Sequence, residues 1–163
     1  MRTIILISLL SLLMACKEGS KSSGAKVESP SKTTTKQKSA IRGMTQQEFL
    51  EIQSKCDAVD YIFHSLPFSI NQTERANVLS NLGFIGSEQA DAIPPNCKAL
   101  GREFFQASGD IFLEADLYYC PPDHFSYVFF KDKKPFAANK MSTQGINFYS
   151  NLIKQISVQP SGS

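Results

Sequence analysis

No two of the chain's four cysteines (Cys16, Cys56, Cys97, Cys120) lie within the two to four residues that zinc knuckles use, and that spacing excludes a knuckle-type metal site. There is also no Gly-rich phosphate loop, no Gly-x-Ser-x-Gly elbow and no His-Glu-x-x-His, which removes the sequence signatures of nucleotide hydrolases, serine esterases and zinc proteases. Nothing in the chain implies a cofactor. No apolar run approaches the ~20 residues of a membrane-spanning helix, and no internal repeat is visible. Tryptophan is absent, so the bulk of any core must come from twelve Phe and five Tyr.

Charge is divided unevenly along what is present. Residues 17–44 hold seven basic side chains against two acidic ones, whereas from Thr45 onward nine Lys and Arg face thirteen Asp and Glu. The small net charge of +2 therefore hides a basic leash and a mildly acidic head. An acidic head with no basic patch interleaved with aromatics excludes nucleic acid as a partner.

The first fifteen residues have the build of a secretory signal peptide. Arg2 supplies the positive start, Ile4 to Leu13 an apolar run interrupted only by Ser8 and Ser11, and Ala15 a small residue at the cleavage point. Leu13-Met14-Ala15-Cys16 resembles the lipobox of bacterial lipoproteins. The resemblance implies that Cys16 is diacylated on sulfur, that the leader is cut before it, and that the new amino group is acylated. Each buried CH₂ adds roughly 0.8 kcal/mol, so two or three acyl chains hold a protein on its membrane where one binds reversibly. Lys17 stands where an Asp would mark inner-membrane retention, which points to the outer membrane without indicating which face of it.

Residues 16–43 then form a lipidated, Lys/Ser/Thr-rich tether that lacks the apolar surface needed to fold. As a flexible coil it reaches roughly 30 Å. Its basic character suits anionic lipid nearby, and equally suits plain solvation of a linker.

Residues 44–158 read as a single α+β domain, and residues 159–163 as a flexible tail. Thr45 with Glu48 is a capping box, and apolar Phe49, Ile52, Cys56, Val59, Phe63 and Leu66 follow at helical spacing until Pro67. A second, shorter helix is expected from Asn71 as N-cap, with Val78, Leu79 and Leu82 as its apolar side and Gly83 as its stop. Residues 86–95 read as a loop or a loose turn of helix. Beyond Pro94-Pro95 the period changes to two. Residues 100–107, 111–119, 125–131 and 136–140 read as four strands of an antiparallel meander, with a closing helix after Ser142 on a stripe of Ile146, Tyr149, Leu152, Ile153 and Ile156. The expected architecture is an antiparallel sheet of about four strands with two N-terminal helices and one C-terminal helix.

A two-residue Ser108-Gly109 turn that pairs Ala107 with Asp110 also sets Cys97 opposite Cys120. An exported protein is a setting for disulfides, so a Cys97–Cys120 bridge is expected, with Cys56 left over. Two considerations oppose it. The same register puts Glu103 opposite Glu114, a like-charge pair, and a single bulge would displace the cysteines by one position.

Three sets of side chains invite a chemical reading. Cys56, Asp60 and His64 lie four apart along the first expected helix and combine a thiol, a carboxylate and an imidazole. Glu114 and Asp116 share a strand face about 7 Å apart, within the loose range for paired acids of glycoside hydrolysis. Pro121, Pro122, Asp123 and His124 follow directly on Cys120 and make a stiff loop with an acid and an imidazole. This loop resembles the braced His-bearing loops of periplasmic lysozyme inhibitors, although it lacks the second cysteine that closes them. For each set the plainer reading is structural: a buried thiol with a solvated edge, acids on a wet sheet face, and a strand connection in which prolines block edge pairing. No catalytic residue and no metal ligand is assigned. The chain reads as a membrane-anchored envelope lipoprotein with a small binding domain and an envelope protein as its expected partner, with an inhibitor or immunity protein and a small hydrolase as alternatives.

Overall fold

The computed structural model describes residues 41–158. The leader, Cys16, most of the tether and the tail at 159–163 lie outside the described residues. Within them the order is α1 (Gln46–Lys55), β1 (Ala58–Phe63), β2 (Ser69–Gln72), α2 (Arg75–Leu82), β3 (Ile85–Gln89), β4 (Ala99–Ala107), β5 (Asp110–Cys120), β6 (His124–Lys131), β7 (Lys134–Met141) and α3 (Thr143–Val158). The fold is α+β with three helices, as expected. Its antiparallel sheet has seven strands rather than about four, in the order β2-β1-β4-β5-β6-β7-β3. Among the described residues no helix is long and apolar enough to cross a membrane.

The three additional strands come from segments whose pattern is ambiguous in the sequence. The expected first helix stops at Lys55, and Cys56 is its C-cap. In residues 58–63 the buried Val59, Tyr61 and Phe63 alternate with Ile62, which is 52% exposed. Val59 and Phe63 fit a helical period as well as they fit period two; what decides is that the segment pairs on both sides, with β2 and with β4. Asn71 therefore lies on β2 opposite Asp60 instead of capping a helix, and Glu74 takes the N-cap of α2 with no side-chain cap bond. Residues 85–89 pair with β7 at the far edge, so the segment 86–95, expected as a loop or a loose turn of helix, begins as strand.

Around α1 the local signals are realised in full. Thr45 Oγ1 accepts from the Glu48 N–H at 3.2 Å, and the Glu48 carboxylate accepts from the Thr45 N–H at 2.8 Å. Arg42 grips the same carboxylate through both terminal nitrogens, at 2.8 and 2.6 Å. Arg42 belongs to three residues expected at the end of the tether that are part of the domain instead. The Ala138 N–H donates to the Arg42 carbonyl, Gln89 Nε2 donates to the Ile41 carbonyl, and Gly43 lies against Gln89. The buried Asn139 ties this entry point down, accepting from the Met44 N–H and donating to the Gly86 carbonyl.

One face of the sheet carries the main core under the helices, including Val59, Tyr61, Phe105, Leu113, Ala115, Leu117, Tyr127 and Phe129, with Tyr149 from α3 and Ile52 from α1. A smaller cluster of Ala90, Val128 and Ala138, with Ile41, Ile93, Tyr118 and Phe130 packed on it, occupies the opposite face. Ser142 Oγ accepts from the Gly145 N–H and donates to the Gly83 carbonyl, so it caps α3 and binds the end of α2 in one step.

The β4–β5 hairpin turns at Ser108-Gly109, both with positive φ (53° and 88°), as a two-residue turn of matching twist requires. Pairing starts as expected, Ala107 with Asp110 and Gln106 with Ile111. Phe112 then bulges out of β5, moving the register by one, and Leu100 bulges out of β4, moving it back. The two shifts cancel, and Cys97 and Cys120 form a disulfide with their Cα atoms 5.8 Å apart. Between the bulges Glu103 faces Ala115, so the expected clash with Glu114 does not arise.

A bridge that closes a loop of sequence separation 23 stabilises a domain by about 3 kcal/mol, mainly by restricting the unfolded chain. The Cys97→Ala/Cys120→Ala double variant should keep the native circular dichroism and lose about that much unfolding free energy in urea. A loss below ~1 kcal/mol would mean that the denatured chain is already restrained there.

Candidate functional site

The Cys56, Asp60 and His64 strip does not exist in the fold, because a strand separates its members. Cys56 is buried at the end of α1, its Sγ donating to the Ala58 carbonyl at 3.3 Å, and burial pushes the thiol above its ordinary pKa. That is the reverse of what an attacking thiolate needs. Asp60 accepts from the side chains of Asn71 and Gln106 on the open sheet face. The exposed His64 lies beyond the end of β1.

Glu114 and Asp116 do share a face of β5, and Arg102 of β4 occupies both. Its Nε lies 2.7 Å from Asp116 Oδ1 and its Nη1 2.9 Å from Glu114 Oε2, while the guanidinium sits 5.0 Å over the Phe130 ring. A planar fork bridging two carboxylates and stacked on a ring is a rigid cross-strand tie. Both acids are thereby held by one guanidinium.

The loop after Cys120 divides in two. Pro121, Pro122 and Asp123 are exposed at the turn, with a cis peptide between the prolines. His124, expected at the tip, is instead the first residue of β6 and only 7% exposed. Its Nε2 is 2.8 Å from Ser126 Oγ and its ring meets Tyr118 edge-on. Burial lowers its pKa, against an opposing pull from Asp91. Serine, imidazole and a nearby carboxylate are the parts of a nucleophilic triad, but Ser126 is 0% exposed and no substrate reaches its hydroxyl. Among the described residues no group of three or more His, Cys, Asp or Glu could hold a metal ion.

The side chain that sequence reading missed is Glu103. It lies on the helix-side face of β4 in line with Gly101 and Phe105, 3% exposed, and accepts from Tyr149 Oη at 2.7 Å. Tyr61 is its neighbour across β1, and the hydroxyls of Tyr61 and Tyr127, also buried, have no hydrogen-bond partner among the described residues. Burial raises the Glu103 carboxyl from 4.5 to about 8, with the Tyr149 bond pulling weakly the other way. Burial among apolar side chains thus favours the neutral acid at this position. Alternation along β4 was the available signal, since it places residue 103 on the same side as 101 and 105.

An open cleft of about 550 Å³ lies between α1 and the sheet, within the size range of small-molecule sites. Glu48, Glu51, Ile52 and Lys55 of α1 line it together with Arg42; Phe112, Leu113, Lys131 and Phe136 come from the strands. A second depression of about 440 Å³ runs between the start of α1 and β3 over Met44, Phe49, Ile85 and Asn139. No protein-family model matches the chain, and comparisons with curated proteins and with solved structures return no match.

The buried acid makes stability fall with rising pH. Below 4.5 Glu103 is protonated in folded and unfolded chains alike. Between 4.5 and about 8 the unfolded chain ionises and the folded one does not, so that contribution is lost as pH rises through this window. Glu103→Gln copies the neutral acid and removes the loss. Its advantage over wild type should be near zero at pH 4 and on the order of 3 kcal/mol at pH 7, read from urea midpoints. Parallel pH profiles for the two proteins would refute the assignment.

Proposed function

We propose that this chain is a lipid-anchored protein of the bacterial cell envelope, on the outer membrane, whose folded domain acts by binding. The anchor reading is supported by Leu13-Met14-Ala15-Cys16 and by the basic stretch that separates it from the domain. The binding reading is supported by the contrast between the candidate reactive groups and the cleft. Cys56 and His124 are buried, Glu114 and Asp116 are committed to Arg102, and a sizeable concave surface that joins apolar and charged side chains lies elsewhere, under α1.

A second reading, an inhibitor or immunity protein that blocks an envelope enzyme, is favoured by the exposed Pro121-Pro122-Asp123 turn. This turn leaves directly from the disulfide-bonded Cys120, and a turn ordered before binding loses little entropy on docking. His124 is buried under that reading too, so its surface reduces to the turn and Asp123.

Growth of cells producing the full chain with a clickable palmitate analogue tests the anchor. The label should sit on Cys16 and vanish in Cys16→Ser, with the protein leaving the membrane fraction. An unlabelled wild-type chain would sink it. Affinity capture from envelope extract with the full chain and its Asp123→Ala variant separates the two binding readings. A stoichiometric partner lost in the variant establishes the inhibitor surface, and a partner retained by both points away from the turn.

A further inference from the structure

Both aromatic side chains of the cleft under α1 are bulge residues. In β5, Leu113 pairs with Phe105 and Ile111 with Gln106, which leaves Phe112 as the unpaired extra residue. In β7, Ala137 pairs with Phe129 and Pro135 with Phe130, which leaves Phe136 in the same position. Regular alternation would send both rings to the face opposite their neighbours Leu113 and Ala137. Instead both pack against the helix-side core and both line the cleft. A bulge gives up a place in the ladder and re-aims one side chain. Two of them, in separate hairpins, converge on one cavity. With Ile52 and Leu113 the two rings give it an apolar floor.

The rim carries three cations and two carboxylates. Arg42 is engaged bidentately by Glu48, and Lys55 pairs with Glu51 one helical turn away. Lys131, exposed at the end of β6, has no salt-bridge partner among the described residues; its electrostatic link is to Glu51, which Lys55 already holds. The rim therefore has one more cation than carboxylate beside two aromatic rings, and the Arg42 guanidinium lies 5.6 Å over the Phe136 ring.

We propose that this cleft binds a small amphipathic anion, with an aromatic or aliphatic body over Phe112 and against the edge of Phe136, whose face Arg42 covers, and a carboxylate at Lys131. Burial of apolar surface on the floor supplies affinity. Lys131 supplies the choice of sign, because a cation is repelled and a neutral analogue forgoes the ion pair. The proposal rests on the reading of the domain as a binding module and is independent of the lipid anchor.

Calorimetric titration of the full chain in phosphatidylcholine nanodiscs, with empty nanodiscs as the blank, tests it with naphthoate and its neutral counterpart naphthamide as probes. Naphthoate should saturate a single site with Kd below about 1 mM and bind at least fivefold more tightly than naphthamide. Lys131→Gln, which alters no core contact, should weaken naphthoate about fivefold and erase the preference over naphthamide. Phe136→Ala should weaken both probes. Lys154→Gln on α3, away from the cleft, should change nothing. Absence of saturable binding, equal affinity for the two probes, or indifference to Lys131→Gln each overturns the proposal. Failure here together with a captured envelope partner would discard the ligand class and leave the binding-domain reading standing.

Discussion

Two opposed bulges in the β4–β5 pairing govern much of what is distinctive in this domain. Phe112 is extra on one strand and Leu100 on the other, so the residues between them pair one step out of the register set by the turn. Outside the bulges the original register returns and brings Cys97 to Cys120. Inside them Glu103 meets Ala115 on the helix side, while Glu114 and Asp116 stay on the open side with Arg102. With a single bulge the cysteines would miss one another. With none, two glutamates would oppose each other and Phe112 would leave the cleft. One strand pair thus connects the disulfide, the buried acid and the candidate site.

The buried acid shows how the helix layer is keyed to the sheet. Tyr149 of α3 is fully buried, and its hydroxyl reaches the carboxyl of a strand two positions from the sheet edge. Around it stand the rings of Phe84, Phe148 and Tyr119. A hydrogen bond in an apolar surround is directional where apolar packing is not, so this contact sets how α3 lies on the sheet as well as holding it there. It also means that α3 and β4 share one polar contact whose strength depends on a proton.

Charge is handled differently on the two faces. On the open face acids and bases are matched locally, Arg102 with two carboxylates, Asp60 with two amides, and Lys140 with Glu88 and Asp91. Beneath α1 the matching is incomplete, and it is incomplete beside two rings that bulges have turned out of alternation. Paired side chains brace a sheet; an unpaired cation next to apolar surface is what an amphipathic anion recognises.

Much of the scaffold was legible in the sequence, and the legible parts are local. The Thr45–Glu48 capping box, the Ser108-Gly109 turn and the Ser142 cap rest on contacts within a few residues and are present, and the alternation expected along residues 111–119 holds from Leu113 onward, Ile111 being exposed and Phe112 a bulge. The cysteine pairing expected from the turn also holds, but only because the register shift at Phe112 is undone at Leu100. Residues 58–63 were not, since their apolar positions satisfy a helical and a strand period at once and only β2 and β4 on either side select the strand. Short edge strands such as β2 and β3 have too few residues to show a period. The bulges and the charge imbalance of the cleft were beyond local reading altogether, because each depends on which residue of a distant segment stands opposite. By itself the sequence determined where the first and last helices begin and where the hairpins turn, through short-range hydrogen bonding and backbone preference. Only the tertiary structure decided which side of the sheet each side chain faces at a bulge, and with that the site, because facing is a property of pairing between strands far apart in the chain.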